Sequence, residues 1–517
     1  MDAFSRPECL PDTRQDILKF ITDWLTTPSN NENILWLHAM AGFGKSTIST
    51  TVAEYFRELE RLGAFMFFDR NNAASRDPAA VIRTLSYKLA YFDPSIRAAV
   101  SAQIERDFGV TEASMRIQFA KLLLEPLTSI TSLSTRGPIV IVLDALDECG
   151  DPATRKDLLL LLAKEMANLP PSFRILITSR REPDIEAALS RRPNIVVKAF
   201  ETVEHSGTAD VSSFFRHHMT AFRLDETFQL PSEWPGEDNI QALINHSGGL
   251  FIWASTAVKF IAEGRHPQPR LDILLHSQSR REAETTLDAL YATALDMAGE
   301  WKNDEVANDY RAVLGAIIVG RISLSDSTLD LILGLNGPRS SKFILSRLRC
   351  LLQWSPGQGI RTLHSSFADY LSDPHRCGDR PWFIDVPRHN ETLVVACFRH
   401  LQSGLRCNIC ELGTSDVFND EVFDLRDRIE KFIPAQLHYA CCFWADHLQN
   451  SVFTHEILTY LQDFLGLPLL YWLEVLSLVE ESSIASRALK SAVSWIRVRL
   501  CVTFLVLRDD ILFPGAR

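Results

Sequence analysis

"WLHAMAGFGKSTIS" runs from Trp36 to Ser49. Apolar residues lead into a turn of small residues, and the turn delivers Lys45-Ser46 to the start of a helical pattern, "STISTTVAEYFREL". Strand, glycine turn and Lys-Ser at a helix start is the arrangement of a phosphate cradle, G-x-x-x-x-G-K-[ST]. The first glycine of that pattern is Ala39 here. Gly-Lys-Ser alone decides little, because G-K-[ST] arises by chance in roughly one chain in four of this length. The flanking strand and helix carry the reading. Backbone N–H groups of Ala41, Gly42, Phe43 and Gly44 and of the helix start would point at phosphate oxygens. Lys45 would pair with the β- and γ-phosphates, the Ser46 hydroxyl would hold Mg²⁺, and Thr47 follows in the same turn. Ala39 stands at the entry of the turn, where a Cβ is tolerated if φ is negative.

A second stretch, "PIVIVLDALDECG" (Pro138–Gly150), is an apolar strand ending in carboxylates. Asp144 at its end falls at the carboxyl edge of a sheet, where α/β ligands bind, and would hold Mg²⁺ through water. Asp147 and Glu148 stand at the same mouth, Glu148 being the better group to orient or deprotonate an attacking water. A third strand ends "LITSRREPDI", which brings Thr178 and Arg180 to the same edge to sense a γ-phosphate.

Five apolar runs alternate with helical stretches up to about residue 204: "NILWLHAM", "GAFMFFDR", "PIVIVLDAL", "FRILITSR" and "NIVVKAF". Several are apolar throughout, as parallel strands covered on both faces are. The expected architecture is an α/β P-loop NTPase core, a parallel sheet with helices on both faces, over residues 1–204. Helical patterns follow over 205–300. Helices and two short strands around "SPGQG" over 301–385 suggest a winged helix, and residues 386–517 are helical again.

The chain's 517 residues exceed what one core serves, so roughly two to four domains are expected. A net charge of -12 argues against a general nucleic-acid binder. No basic-then-apolar leader opens the sequence. "CVTFLVL" (Cys501–Leu507) is far short of the ~20 residues of a membrane helix. No membrane span is expected, and the segment reads as buried. "CNIC" (Cys407, Cys410) and Cys441-Cys442 lack paired zinc-knuckle spacing, so the ten cysteines read as reduced packing residues in an intracellular chain.

The ordered set "CLPDTRQDILKFITDWL", "ILWLHAMAGFGKSTIS", "IVIVLDALDECG", "ILITSR" and "GGLFIWASTAVKFI" resembles the NACHT domain. That domain belongs to the STAND class of P-loop NTPases, and the likeness is to its fungal NOD-like-receptor branch. "LDALYATAL", "LGAIIVGRISLS", "LHSSFADYL" and "FIPAQLHYACCFWADHL" continue the likeness along the chain. The resemblance implies a cytoplasmic signal-transduction switch of the innate-immunity type, acting in fungal non-self recognition or programmed cell death. ADP would be held closed, ATP and Mg²⁺ would open the chain to a homo-oligomer, protein signalling partners would follow, and hydrolysis would be slow. It implies catalytic roles for Glu148, Asp147 and Arg180, an ADP-phosphate contact for His364, and approach of Thr13 and Arg14 to the adenine and ribose. Two departures stand out. Ala39 replaces a glycine, and Phe251 replaces the proline of the plant-type relatives' "GLPL". Such proteins carry an N-terminal effector and C-terminal repeats. Neither is legible here, which suggests a truncated product or a stripped-down member. The alternatives are a non-hydrolysing nucleotide-binding scaffold, favoured by Ala39 and the missing flanks but opposed by the intact carboxylates, and a turnover P-loop ATPase or kinase. A kinase would need an acceptor lid and a motor a basic channel, and the sequence shows neither.

Overall fold

The computed structural model describes residues 7–28, 31–70, 72–131, 133, 137–200, 206–264, 266–277, 283–413 and 417–512. Within these, the chain packs as two compact units, the first reaching Thr293 and including His364–Ser366, the second containing the rest.

The five apolar runs are five strands: β1 (Ile34–His38), β2 (Leu62–Phe67), β3 (Ile139–Asp144), β4 (Phe173–Ser179) and β5 (Ile195–Ala199). They form one sheet in the order β2-β3-β4-β1-β5, and every pairing is parallel. Successive side chains on a strand point to opposite faces, so a sheet covered on both sides needs apolar residues at every position. That is what the runs supply. Leu35 and Leu37 of β1, Phe65 and Phe67 of β2, Val140 and Val142 of β3 and Leu176 of β4 turn to one face. They meet Ile17, Ile21 and Leu25 of α1 (Gln15–Thr26) and Ile48, Val52 and Phe56 of α2 (Lys45–Glu58). Ile34, Trp36, Met66, Ile139, Ile141, Leu143, Ile175 and Ile177 turn to the other. There they bury α3 (Val81–Phe92), α4 (Pro94–Arg106), α5 (Lys156–Lys164) and α6 (Pro183–Leu189). Each such fully buried aliphatic side chain contributes about 1.5–3 kcal/mol, so the two faces together fix the register of the sheet.

The register brings the functional strand ends together. His38 pairs with Ser179, and Leu143 with Ile177, so the chain leaves β1, β3 and β4 at one edge. A one-residue slip would carry every side chain of a strand to the opposite covered face, where the packing is made for others. The first unit continues through α7 (Ser206–Leu224) and, after Glu237–Ser247, α8 (Phe251–Ala262).

In the second unit, a helix at Asp304–Val319 is followed by a bridge between Ser325 and Gly359 and by helices at Asp326–Leu333 and Ser341–Ser346. Leu352–Gln353 then pairs antiparallel with Arg361–Thr362 around the "SPGQG" turn. Further on, Phe398, Trp444, Phe464 and Trp472 form an aromatic core between helices. Beside it lies a buried polar chain. Tyr439 Oη meets His447 Nε2 at 2.7 Å, His447 Nδ1 meets Asn390 Oδ1 at 2.9 Å, and burial holds His447 far below its usual pKa, keeping it neutral.

Burial pushes the thiols of Cys397, Cys441 and Cys442 upward, as expected of packing residues. Among the described residues no cluster of three His, Cys, Asp or Glu is arranged to hold a metal ion, and no single helix is long and apolar enough to cross a membrane. The side chains of Cys501–Leu507 lie outside the described residues.

Candidate functional site

Gly42 and Gly44 have φ of +82° and +86°, the left-handed region that costs an L-residue about 1–2 kcal/mol. Ala39 is not among the described residues with positive φ, so its Cβ meets no backbone penalty, and it is buried with its N–H donating to Ser179 O. The relaxed position thus lies outside the part of the turn that needs glycine. Gly42 needs it twice, because a Cβ there would sit 2.1 Å from Ile252 Cγ2. The Ile252 N–H donates to Gly42 O at 3.2 Å, tying the loop to the start of α8. A Cβ on Gly44 would meet open space.

Gly44 caps α2 without any side-chain hydrogen bond, leaving first-turn N–H groups unsatisfied by a cap. Ser46 and Thr47 lie in that first turn. Lys45 Nζ donates to Ala39 O and Met40 O, both at 2.8 Å. Burial brings its pKa down to about 8, against the pull of Asp147, and Arg180 lowers it further. An uncapped helix N-terminus and a desolvated ammonium side by side fit a polyanion. The residues present therefore suit a nucleotide's phosphates.

Asp144, fully buried at the end of β3, accepts from Ser49 at 2.9 Å and from Thr178 at 2.5 Å, both on Oδ1. Ser49 is one turn beyond Ser46. Thr178 also accepts the N–H of Ala145, which sits at φ +59°. The turn after β3 is thereby bound to β4. Asp147 does not stand apart from Arg180. Its Oδ1 accepts the Arg180 N–H at 2.9 Å, and its Oδ2 lies 3.3 Å from Arg180 Nε. The carboxylate thus aims the guanidinium, whose Nη2 donates to Ser365 Oγ at 2.7 Å. Arg155 supports the same loop from behind. Nη1 donates to Asp147 O at 2.9 Å, and Nε and Nη2 grip Asp184 at 2.6 and 2.8 Å.

Glu148 is a different carboxylate. Burial raises its pKa to about 7, opposed by Arg70 and reinforced by Asp147 and Asp69, while a hydrogen bond from Ser365 lowers it. A carboxyl that titrates near 7 suits proton transfer at neutral pH. His364 Nδ1 accepts the Ser366 N–H at 3.1 Å and also meets the Ser366 hydroxyl at 2.7 Å. An accepting Nδ1 leaves Nε2 to carry the proton of the neutral ring, so that side is a donor.

Thr13 is buried and donates to Leu10 O at 2.7 Å. Arg14, at φ +60°, is held on several sides. Nη2 donates to Phe43 O of the loop at 3.0 Å, and the guanidinium lies 3.6 Å from Asp210 on α7. It is sandwiched between the rings of Phe251 at 4.5 Å and Phe200 at 4.7 Å. Phe251, the departure from proline, is thus a platform for Arg14. Asp210, Phe200 and Ser365 carry no local motif and escaped the sequence reading. Only an aromatic at the end of β5 and a serine beside His364 could have hinted at two of them.

A parallel sheet of this order, with a glycine turn feeding Lys-Ser and a buried strand-end aspartate, is a P-loop NTPase core followed by helical domains. Residues 12–180 match the family model described as Nephrocystin 3, N-terminal. The chain is 23% identical over 502 residues to the vegetative incompatibility protein HET-E-1 of Podospora anserina, covering 90% of this chain and 34% of that protein. The chain therefore spans about a third of that relative's length. Among solved structures, a STAND protein with a tetratricopeptide-repeat sensor from Pyrococcus horikoshii aligns with a TM-score of 0.42 at 12% identity, over 96% of this chain and 66% of that one. Cdc6p from Pyrobaculum aerophilum aligns at a TM-score of 0.32 and 14% identity, over 71% and 95%. Taken with the ordered motifs, the sequence matches support a likeness to NACHT-type proteins of the NOD-like-receptor kind.

Proposed function

We propose that the chain is a nucleotide-controlled switch that binds ADP and Mg²⁺-ATP and hydrolyses slowly. The observation that carries this reading is Lys45, a half-buried ammonium of lowered pKa beside the uncapped, positive end of α2. Two positive ends held together favour a multiply charged anion over any neutral ligand. Ala41–Gly44 and the first turn of α2 would cradle the phosphates. Thr47 completes that turn, and Thr13 and Arg14 would stand on the base and ribose side. Ser46 and Asp144 would hold Mg²⁺, which supplies charge neutralisation at the phosphate oxygens when bound. Glu148 would orient the water, with Asp147 setting the position of Arg180, and Nε2–H of His364 would donate to a phosphate oxygen.

Switching requires nucleotide to favour one conformation over another by several kcal/mol. The loop is equipped to report its occupancy. Its Gly42 and Phe43 carbonyls are bonded to Ile252 on α8 and to Arg14, which is in turn paired with Asp210 on α7. We read the output as homo-oligomer assembly in the ATP state and signalling through protein partners in the cytoplasm, in non-self recognition or programmed cell death. The division into 1–204, 205–300, 301–385 as a winged helix and 386–517 belongs to the same proposal. The test is ADP binding by the purified chain and by Lys45→Ala, measured by equilibrium dialysis. Loss of binding by about ten- to a hundredfold, the weight of a charge-assisted phosphate contact, is expected. Unchanged binding in the variant contradicts the reading.

A further inference from the structure

We infer that Arg155 is a positioning residue: by joining the Asp147 carbonyl to the Asp184 carboxylate it closes a ring that fixes Arg180, and it thereby sets how strongly the site distinguishes ATP from ADP. This inference rests on the nucleotide reading above. Arg155 stands immediately before α5, and an arginine suits a helix start poorly. It cannot accept from the unsatisfied N–H groups, and its charge faces the positive end of the helix. Its side chain turns to the loop after β3 instead and is buried there, 3% exposed. Nη1 donates to Asp147 O at 2.9 Å, while Nε and Nη2 donate to Asp184 Oδ2 and Oδ1 at 2.6 and 2.8 Å.

Asp184 lies in the first turn of α6, shortly after Arg180 in the chain, and Pro183 restricts the backbone between them. Arg180 completes the circuit, its N–H donating to Asp147 Oδ1 at 2.9 Å and its Nε lying 3.3 Å from Oδ2. Two arginines therefore hold Asp147 by its carbonyl and by both carboxylate oxygens. Guanidiniums and carboxylates alternate around the ring, so each charge faces an opposite one. The ring ties the turn after β3 to the chain leaving β4, and all of it lies in the first unit. Only arginine closes it. A planar fork meets both oxygens of Asp184 while a further donor reaches a carbonyl, and a lysine ammonium cannot span the three. Slack at the Asp147 carbonyl would shift the carboxylate that aims Arg180. On the nucleotide reading Arg180 meets the γ-phosphate, which ADP lacks, so a displaced Arg180 weakens ATP and spares ADP.

The experiment is displacement of a fluorescent ADP from the full chain by unlabelled ADP and by the β,γ-imido analogue of ATP, which is not hydrolysed, both with Mg²⁺. The quantity read is the ratio of the ATP-analogue affinity to the ADP affinity. Arg155→Lys keeps the charge without the fork. Asp184→Asn removes a charge from a side chain that is 25% exposed, where its uncharged isostere fits. Each should lower the ratio roughly tenfold, the weight of one hydrogen bond to a charged group. Glu186→Gln, which breaks the neighbouring exposed pair with Arg181, should keep the parent ratio. Arg180→Gln should lower it at least as far as Arg155→Lys does. Combining the two should lower it no further, because Arg155 acts through Arg180. A parent ratio in both Arg155→Lys and Asp184→Asn, even with both affinities reduced together, overturns the ring and leaves the nucleotide reading standing. Additive losses in the double variant overturn it too. A parent chain that takes up no fluorescent ADP refutes the nucleotide reading itself, and the inference falls with it.

Discussion

Gly42 and Gly44 look alike in the sequence, but the structure makes different demands of them, and alanine at each position separates those demands. Gly44→Ala meets only the left-handed backbone at φ +86°, since nothing lies within 4 Å of its Cβ. The expected loss is about 1–2 kcal/mol. Gly42→Ala meets the same penalty at φ +82° and in addition places a Cβ 2.1 Å from Ile252 Cγ2 and 3.1 Å from Ile252 Cβ. A β-branched side chain in the first turn of a helix has few rotamers with which to yield, so an overpacking cost of about 1–3 kcal/mol adds. The total is about 2–5 kcal/mol. Relief should come from the partner. In a cycle of Gly42→Ala, Ile252→Ala and the double variant, the two sites should couple by about 1–3 kcal/mol, leaving the backbone penalty behind. Urea unfolding followed by circular dichroism reads all four proteins, and Gly44→Ala with them. Equal losses at Gly42 and Gly44, or additivity in the cycle to within about 0.5 kcal/mol, would refute the close approach of α8 to the loop.

Two further outcomes concern protons. Glu148→Gln should leave ATP binding intact and lower hydrolysis by about 10²–10⁴. With the Glu148 pKa raised to about 7, its basic form is lost as the pH falls through that value, so parent hydrolysis should drop to about a tenth of its plateau one unit lower. A flat profile from pH 6 to 8 would contradict the role. Lys45, brought down to about 8, is about half neutral at pH 8 in the folded protein. Phosphates raise its pKa again, so ADP binding at pH 8 should take up about half a proton and at pH 7 very little. Calorimetry in two buffers of different ionisation enthalpy measures this uptake, and equal heats in both at pH 8 would contradict it.

The sheet was legible because both of its faces are covered. Strands such as β3 and β4 must then be apolar at every position, and a continuous apolar run ending in Asp144 or Ser179-Arg180 marks both the strand and the site edge. Strand order was not legible, since parallel pairing between β1 and β4 leaves no local signal in either run. Nor could the sequence show that Ala39 escapes the left-handed backbone of the turn, which depends on a dihedral angle. The carboxylates are a sharper case. Asp147 and Glu148 are neighbours of one chemical type, and the sequence reading gave both catalytic roles. In the structure Asp147 is paired with Arg180, and Glu148 is half-buried, with desolvation raising its pKa. The Arg180 partner that follows β4 and the desolvation of Glu148 separate them. The Arg14 sandwich was hidden for a similar reason. Phe200, Asp210 and Phe251 come from three separate elements, and each alone reads as an ordinary core or surface residue.

The most direct test of the central claim is the nucleotide that the purified chain carries. The protein is denatured, and the released small molecules are identified and counted by chromatography against protein concentration. Near-stoichiometric ADP, absent from Lys45→Ala prepared in parallel, is the result expected of a closed switch built on this loop. A chain that releases no nucleotide and takes up neither ADP nor ATP when they are added would contradict the account.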